Sequence, residues 1–338
     1  MLTFTPIHST FGAEVQGADL ATLPDAGLQE VKTGIAKYGF LVFRDMGLDD
    51  DGHVAFSKRL GDLDNIARFI TPGRKLRYSH VELFDAGNMD ADGNVLDPDS
   101  ARAHQAKGNG IFHVDSSFNP RRASYCLLRA VELPPAGAGG NTTDFADSRT
   151  AYDALPTDLQ QQLLKKNYIG RHCIAQSRKL ADPEFYHDLD PASQPHMRHY
   201  ILQRHEPSGR LNLYVGAHLH SLETEASGLV DADESTRLIQ QLNAHVSSAP
   251  FVTSVTWQQP GDIIMWDNRA VQHRAGDGSY GVHKRDMRRT TVHDDSPTAW
   301  GLNATSTAMP GFVYDPTSGN TTGAISAELP APVPVAVS

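Results

Sequence analysis

Apolar residues recur at helical spacing early in the chain. Leu28, Val31 and Ile35 fall on one face and the pattern stops at Gly39, which predicts an amphipathic helix over residues 24–38 with a glycine stop. The unbroken apolar run Phe40-Leu-Val-Phe43 then reads as a buried strand. A second helix is predicted to start near Asp49 to Asp51, to carry Val54, Phe56 and Leu60, and to end at Gly61. Over 123–133, Tyr125, Cys126, Leu127 and Leu128 predict a strand closed by Pro134-Pro135 and a glycine-rich turn. Further strands are expected at 211–216, 251–257, 262–266 and 287–293, with helical segments at 147–166 and 231–248. Many short strands interrupted by helices favour a mainly β, jelly-roll-like barrel with flanking and inserted helices over a parallel α/β sheet.

Two stretches break the pattern. Residues 83–110 are rich in Gly, Asp and Asn, which predicts a long loop placed as a lid over a site. Residues 314–338 are Ser, Thr, Pro, Ala and Gly without period, which predicts a disordered tail after a single domain over 1–313.

Composition narrows the function. With 39% hydrophobic and 21% charged residues the chain is that of a globular protein, and its net charge of −10 argues against nucleic-acid binding, which needs a basic surface. An anionic ligand must therefore meet locally placed Arg or Lys. The two cysteines, Cys126 and Cys173, are too few for a disulfide framework and read as buried thiols in a reducing compartment. The first ten residues lack the basic and apolar regions of a leader, and no apolar run is long enough to span a bilayer, so a cytoplasmic protein with no membrane partner is expected. A homo-oligomer is left open. No GxGxxG or phosphate-loop pattern supports a nucleotide cofactor.

Histidines carry the remaining signal. His-x-Asp/Glu occurs three times, as His80-Val-Glu82, His113-Val-Asp115 and His293-Asp-Asp295. On a strand, residues i and i+2 point to one side, so such a triplet can offer a nitrogen and a carboxylate oxygen to one metal. His113-Val-Asp115 stands out because it is followed by Ser116-Ser117-Phe118, and because Trp266-Asp-Asn268 through His273 lies far downstream. Two histidines and a carboxylate leave three positions open on one face of Fe(II), as an oxygenase requires. His218 and His220 could form a second metal site, but with no carboxylate or third ligand at a recognisable spacing they read as packing or pocket residues. Twelve residues after His273 comes Arg285, and Arg285, Met287 and Arg289 share one face of a predicted strand. Arginine suits carboxylate binding because its planar fork makes two parallel hydrogen bonds, so two inward arginines imply two anionic ligands or one dianion.

The segments His113-Val-Asp115-Ser-Ser-Phe118, Gly139-Gly-Asn-Thr142, Trp266-Asp-Asn268 through His273, and Arg285 through Arg289 together resemble the taurine dioxygenase / 2,4-dichlorophenoxyacetate dioxygenase family. The resemblance extends over roughly residues 8–295. It implies a double-stranded β-helix, cupin-like in its core, and an oxygenase that needs Fe(II), 2-oxoglutarate and O2. It also implies that His113, Asp115 and His273 hold the iron, that Arg285 and Thr142 bind the far carboxylate of 2-oxoglutarate, and that Arg289 and Asn109 meet the primary substrate. The Asn141-Thr142-Thr143-Asp144 segment holds one residue more than the family's Gly-Gly-Asp-Thr, which makes Thr143 the alternative to Thr142. The expected substrate is a small carboxylate, sulfonate or amino acid, oxidised at a C–H bond while 2-oxoglutarate is decarboxylated to succinate. Two rivals stand beside this reading. One is an iron oxidase on the same fold that works by desaturation or cyclisation without 2-oxoglutarate; the other is a non-catalytic metal or small-acid binding protein.

Overall fold

The computed structural model describes residues 1–66, 76–276 and 282–305. The predicted tail at 314–338 lies outside them. In chain order the elements begin β1 (Thr3–Pro6), β2 (Ala13–Gln16), α1 (Asp25–Tyr38), β3 (Phe40–Phe43), α2 (Asp50–Lys58), β4 (Phe84–Asp85) and α3 (Ala101–Ala106). The middle of the chain forms β5 (Ala123–Glu132), β6 (Thr142–Asp147), α4 (Ser148–Asp153), α5 (Thr157–Lys166), β7 (Ile169–His172) and α6 (Ile174–Ala181). There follow β8 (Met197–Tyr200), β9 (Leu202–His205), β10 (Arg210–Leu213), β11 (Leu219–Thr224), β12 (Gly228–Leu229) and α7 (Ala232–Val246). The last described elements are β13 (Val252–Thr256), β14 (Ile263–Asp267), β15 (Val271–Ala275) and β16 (Asp286–His293).

The strands form a seven-stranded sheet in the order β1-β2-β3-β14-β5-β16-β4, a three-stranded sheet β13-β6-β15, a four-stranded sheet β12-β11-β7-β8 and the pair β10-β9. The apolar run Phe40–Phe43 is explained by its place inside the large sheet, where both of its faces are covered. Phe40 and Val42 join Ile264, Trp266, Cys126 and Met287 in a core shared with Phe145, Val255 and Val271 of the three-stranded sheet. Leu41 and Phe43 point the other way, with Ile263 and Met265, onto Leu28, Val31 and Ile35 of α1 and Phe56 of α2. A second core gathers Leu238, Ile239, Leu242 and Val246 of α7 with Leu159 and Leu163 of α5 and Leu219 and Leu222 of β11.

Local chemistry sets the ends of the helices. Gly39, at φ +77°, closes α1 by donating its N–H to the carbonyl of Ile35, and Asp49 caps α2 by accepting from Gly52 N–H at 2.8 Å. The helical stretch expected over 147–166 breaks into α4 and α5 around Pro156, whose ring cannot continue a helix. The described chain is a mixture of sheets and helices, less purely β than expected. Residues 83–110 are also more structured than a loop: they hold β4, α3 and a 3₁₀ turn over Lys107–Gly110, with Ser100 capping α3 through Ala103 N–H. No helix among the described residues is long and apolar enough to cross a membrane.

Candidate active site

The site forms where the segment before β5 meets β15. His113 pairs with His273 in an isolated antiparallel bridge, N–H to carbonyl at 3.0 Å one way and 3.1 Å the other. Asp115 does not continue a strand as the triplet rule expects; it sits in a turn with Ser116 at φ +59°. The turn brings the carboxylate back onto the imidazoles, with Asp115 Oδ1 3.6 Å from His113 Nε2 and Oδ2 3.5 Å from His273 Nε2. Gly216, at φ +140°, lies under this turn, where an added Cβ would stand 3.2 Å from the Cα of His113.

All three residues are buried, and each offers a ligand atom within 4.8 Å of the others. They are the one such group among the described residues, so His218 and His220 form no second metal cluster there. His218 instead lines the cavity with its ring 5.6 Å from that of His113, and His220 bonds Gln176. Nδ1 of His113 lies 2.7 Å from the carbonyl of Ile111, so the proton sits on Nδ1 and Nε2 is free to bind a metal. Burial alone would push the Asp115 carboxyl up, but Arg289, His273 and His113 outweigh it and hold the pKa well below the usual carboxylate range. Burial holds His273 well below the ordinary imidazole value. An ionised carboxylate and an unprotonated imidazole are the forms a metal needs, and a two-nitrogen, one-oxygen set of this kind fits Fe(II) with open positions.

Asp115 is held from behind. Arg289 Nη1 donates to its Oδ2 at 2.7 Å, and its backbone N–H donates to Asn268 Oδ1 at 3.2 Å. Asn268 is itself fixed by Trp266 Nε1 at 3.1 Å and by the sulfur of Cys126, which also approaches Asp115 Oδ2 at 3.4 Å. Asn268 and Cys126 were not expected to serve the site; Asn268 was visible only as part of the Trp-Asp-Asn motif.

The other expected residues are distributed around this centre. A cavity of about 600 Å³ is walled by His113, Asp115, Arg289 and Asn109, and by Phe84, Ala86, Leu96 and Arg102 from the 83–110 segment. Arg285, just ahead of β16, is buried; its N–H bonds Asn88 Oδ1 at 2.8 Å and Nη1 reaches the Ala86 carbonyl at 3.5 Å. It is not on the wall of this cavity, nor is Thr142. On β6, Thr143 pairs with Ala275 and Phe145 with His273, so Thr143 shares the face of the metal centre, and Thr142 the opposite one. Thr143 Oγ1 accepts from Trp257 Nε1 at 3.0 Å.

A buried His-Asp-His set at the edge of a cavity has the donor types that define the class: a mononuclear non-haem iron oxygenase site. The sequence matches the taurine catabolism dioxygenase TauD, TfdA family over residues 3–291, and the chain belongs to that family. It is 34% identical over 294 residues to the alpha-ketoglutarate-dependent 2,4-dichlorophenoxyacetate dioxygenase of Cupriavidus pinatubonensis, covering 86% of this chain and 97% of that protein. It is 32% identical over 283 residues to the (S)-phenoxypropionate/alpha-ketoglutarate-dioxygenase of Sphingobium herbicidovorans, covering 80% and 88%. Among solved structures, AAD-2 in complex with Mn(II) and N-oxalylglycine superposes with a TM-score of 0.78 at 29% identity, covering 88% of this chain and 99% of that one. The protein is an Fe(II)- and 2-oxoglutarate-dependent dioxygenase that uses O2.

Proposed function

We propose that the protein oxidises a C–H bond of a small carboxylate, sulfonate or amino acid while 2-oxoglutarate is decarboxylated to succinate, on a double-stranded β-helix whose halves are the seven- and three-stranded sheets. The single observation that carries the reading is a cavity lined by both cations and apolar side chains that opens onto the His-Asp-His set. In this reading His113 Nε2, His273 Nε2 and the Asp115 carboxylate hold the iron. Bound there with 2-oxoglutarate and O2, iron would supply the oxidising power for the substrate's C–H bond. The chain's part is to hold and aim. Arg285 binds the far carboxylate of 2-oxoglutarate, and Thr143, favoured over Thr142 by the β6 register, assists it. Arg289 and Asn109, both on the cavity wall, border the primary substrate, and the 83–110 segment acts as its lid and keeps water away.

Anaerobic addition of Fe(II) and then 2-oxoglutarate should produce the weak visible band of the chelate, and admitting oxygen with a panel of small acids should release succinate faster for the right acid. A protein that binds iron yet forms no band and no succinate would overturn the proposal. The family membership favours this reading over both the 2-oxoglutarate-independent oxidase and the non-catalytic binder.

A further inference from the structure

Asn88 joins the 83–110 segment to the start of β16 and uses all of its polar groups there. Its Oδ1 accepts from Arg285 N–H at 2.8 Å, its own N–H donates to the Arg285 carbonyl at 3.0 Å, and Nδ2 donates to the His283 carbonyl at 2.8 Å. The residue thereby prolongs the antiparallel pairing of Phe84 with Arg289 and Asp85 with Arg288, which Ala86 N–H carries on to the Met287 carbonyl at 3.0 Å. Asn88 is only 5% exposed and Arg285 is buried too, so water is poorly placed to replace the amide if it is lost.

The same residue holds the cover of the cavity. Its carbonyl accepts from Leu96 N–H at 2.8 Å, closing a hairpin in which Met89 pairs with Val95, and Arg102 of α3 reaches back to the Met89 carbonyl at 2.6 Å. Ala86, Gly87, Leu96 and Arg102 line the cavity, whereas Arg285 does not. Residues 86–88 are therefore the partition between the two. Arg285 Nη1 touches the Ala86 carbonyl at 3.5 Å, and a Cβ on Gly87 would stand 2.5 Å from the Arg285 carbonyl. Because α3 buries none of its residues fully, the cover depends on such joints more than on a core of its own.

Resting on the reading that Arg285 takes the far carboxylate of 2-oxoglutarate, we propose that Asn88 is a positioning residue that couples co-substrate binding to the cover of the cavity. Through Asn88 the Arg285 backbone and the 88–96 hairpin form one unit. A carboxylate held by the guanidinium fixes Arg285, and that steadies the hairpin and α3 over the cavity before any primary substrate arrives. By reciprocity the docked cover strengthens 2-oxoglutarate binding by the same factor.

The test uses the full protein loaded anaerobically with Fe(II), with no primary substrate, and reads both the 2-oxoglutarate titration of the visible band and the hydrogen exchange of backbone amides over 88–106 by mass spectrometry. In the wild type, saturating 2-oxoglutarate should slow that exchange about fivefold or more, the lower end of ordinary coupling between sites. Asn88→Ala should lose the slowing even at full development of the band, and should need about fivefold or more 2-oxoglutarate to develop it, with Fe(II) affinity unchanged. Gly87→Ala crowds the same joint without removing a hydrogen-bonding group, so it should act in the same sense, and it stands in if Asn88→Ala fails to fold. The proposal is overturned if wild-type exchange over 88–106 ignores 2-oxoglutarate, if a folded variant keeps the slowing, or if affinity for Fe(II) falls in step with affinity for 2-oxoglutarate. A wild type that binds Fe(II) but forms no band overturns the oxygenase reading and this proposal with it, whereas a normal band with unresponsive exchange overturns this proposal alone.

Discussion

The side chain of Asp115 meets more polar partners than those of the two histidines beside it. Its carboxylate faces His113 and His273, accepts from Arg289 and the Cys126 thiol, and its backbone N–H is held by Asn268. Partners that orient a metal ligand commonly matter about ten- to a hundredfold in metal affinity. Asn268→Ala is therefore expected to weaken Fe(II) binding by roughly that factor with little change in fold, measured by anaerobic iron titration alongside circular dichroism; unchanged affinity would remove Asn268 from the site. At this scale the sequence was informative about types and poor about partners. The spacing of His113, Asp115 and His273 exposed the triad because a metal demands those donors.

Among the elements, β6 bears on a question its sequence left open. Consecutive strand residues face opposite sides, so the extra residue between Gly140 and Asp144 flips every later side chain unless something fixes the register. Pairing of Phe145 with His273 fixes it and puts Thr143 on the side of the metal. Thr143→Val is then expected to raise the 2-oxoglutarate KM more than Thr142→Val does; the reverse order, read from succinate assays, would return the role to Thr142. Strands buried on both faces, β3 and β14, were legible as unbroken apolar runs, and α1 and α7 by their period. The short strands β7 to β9 were not, since His, Arg and Gln dominate them and their burial comes from neighbours. The short elements inside the 83–110 segment were not legible for a related reason. Its helix is six residues long, buries none of them fully, and so shows no apolar face.

For the whole molecule, buried ionisable groups set the response to acid. Burial, aided by Arg129, holds His53 down at about 3, and burial, aided by Arg122, holds His199 down at about 4. An unfolded histidine takes its proton near pH 6.5. Between that pH and these lowered values the unfolded chain binds protons that the folded one refuses, so stability falls as the pH drops. Asp267 and Asp294 add a second stage. Burial alone would raise both carboxyls, but Arg269 with His205 for the first, and Arg122 with Arg269 for the second, hold them below the usual range, and their contribution is lost as the pH falls below about 4. The melting temperature should thus begin to decline near pH 6 and fall more steeply below about 4; a profile flat from pH 8 to 5 would contradict the histidine account. The same long-range construction has a mechanical side. His113 and His273 are joined backbone to backbone and would also share one ion through their rings. The junction between these two segments, 160 residues apart in sequence, is therefore a clasp with a removable pin. Pulled apart at residues 113 and 273, the molecule should yield at a lower force after chelation than with Fe(II) bound.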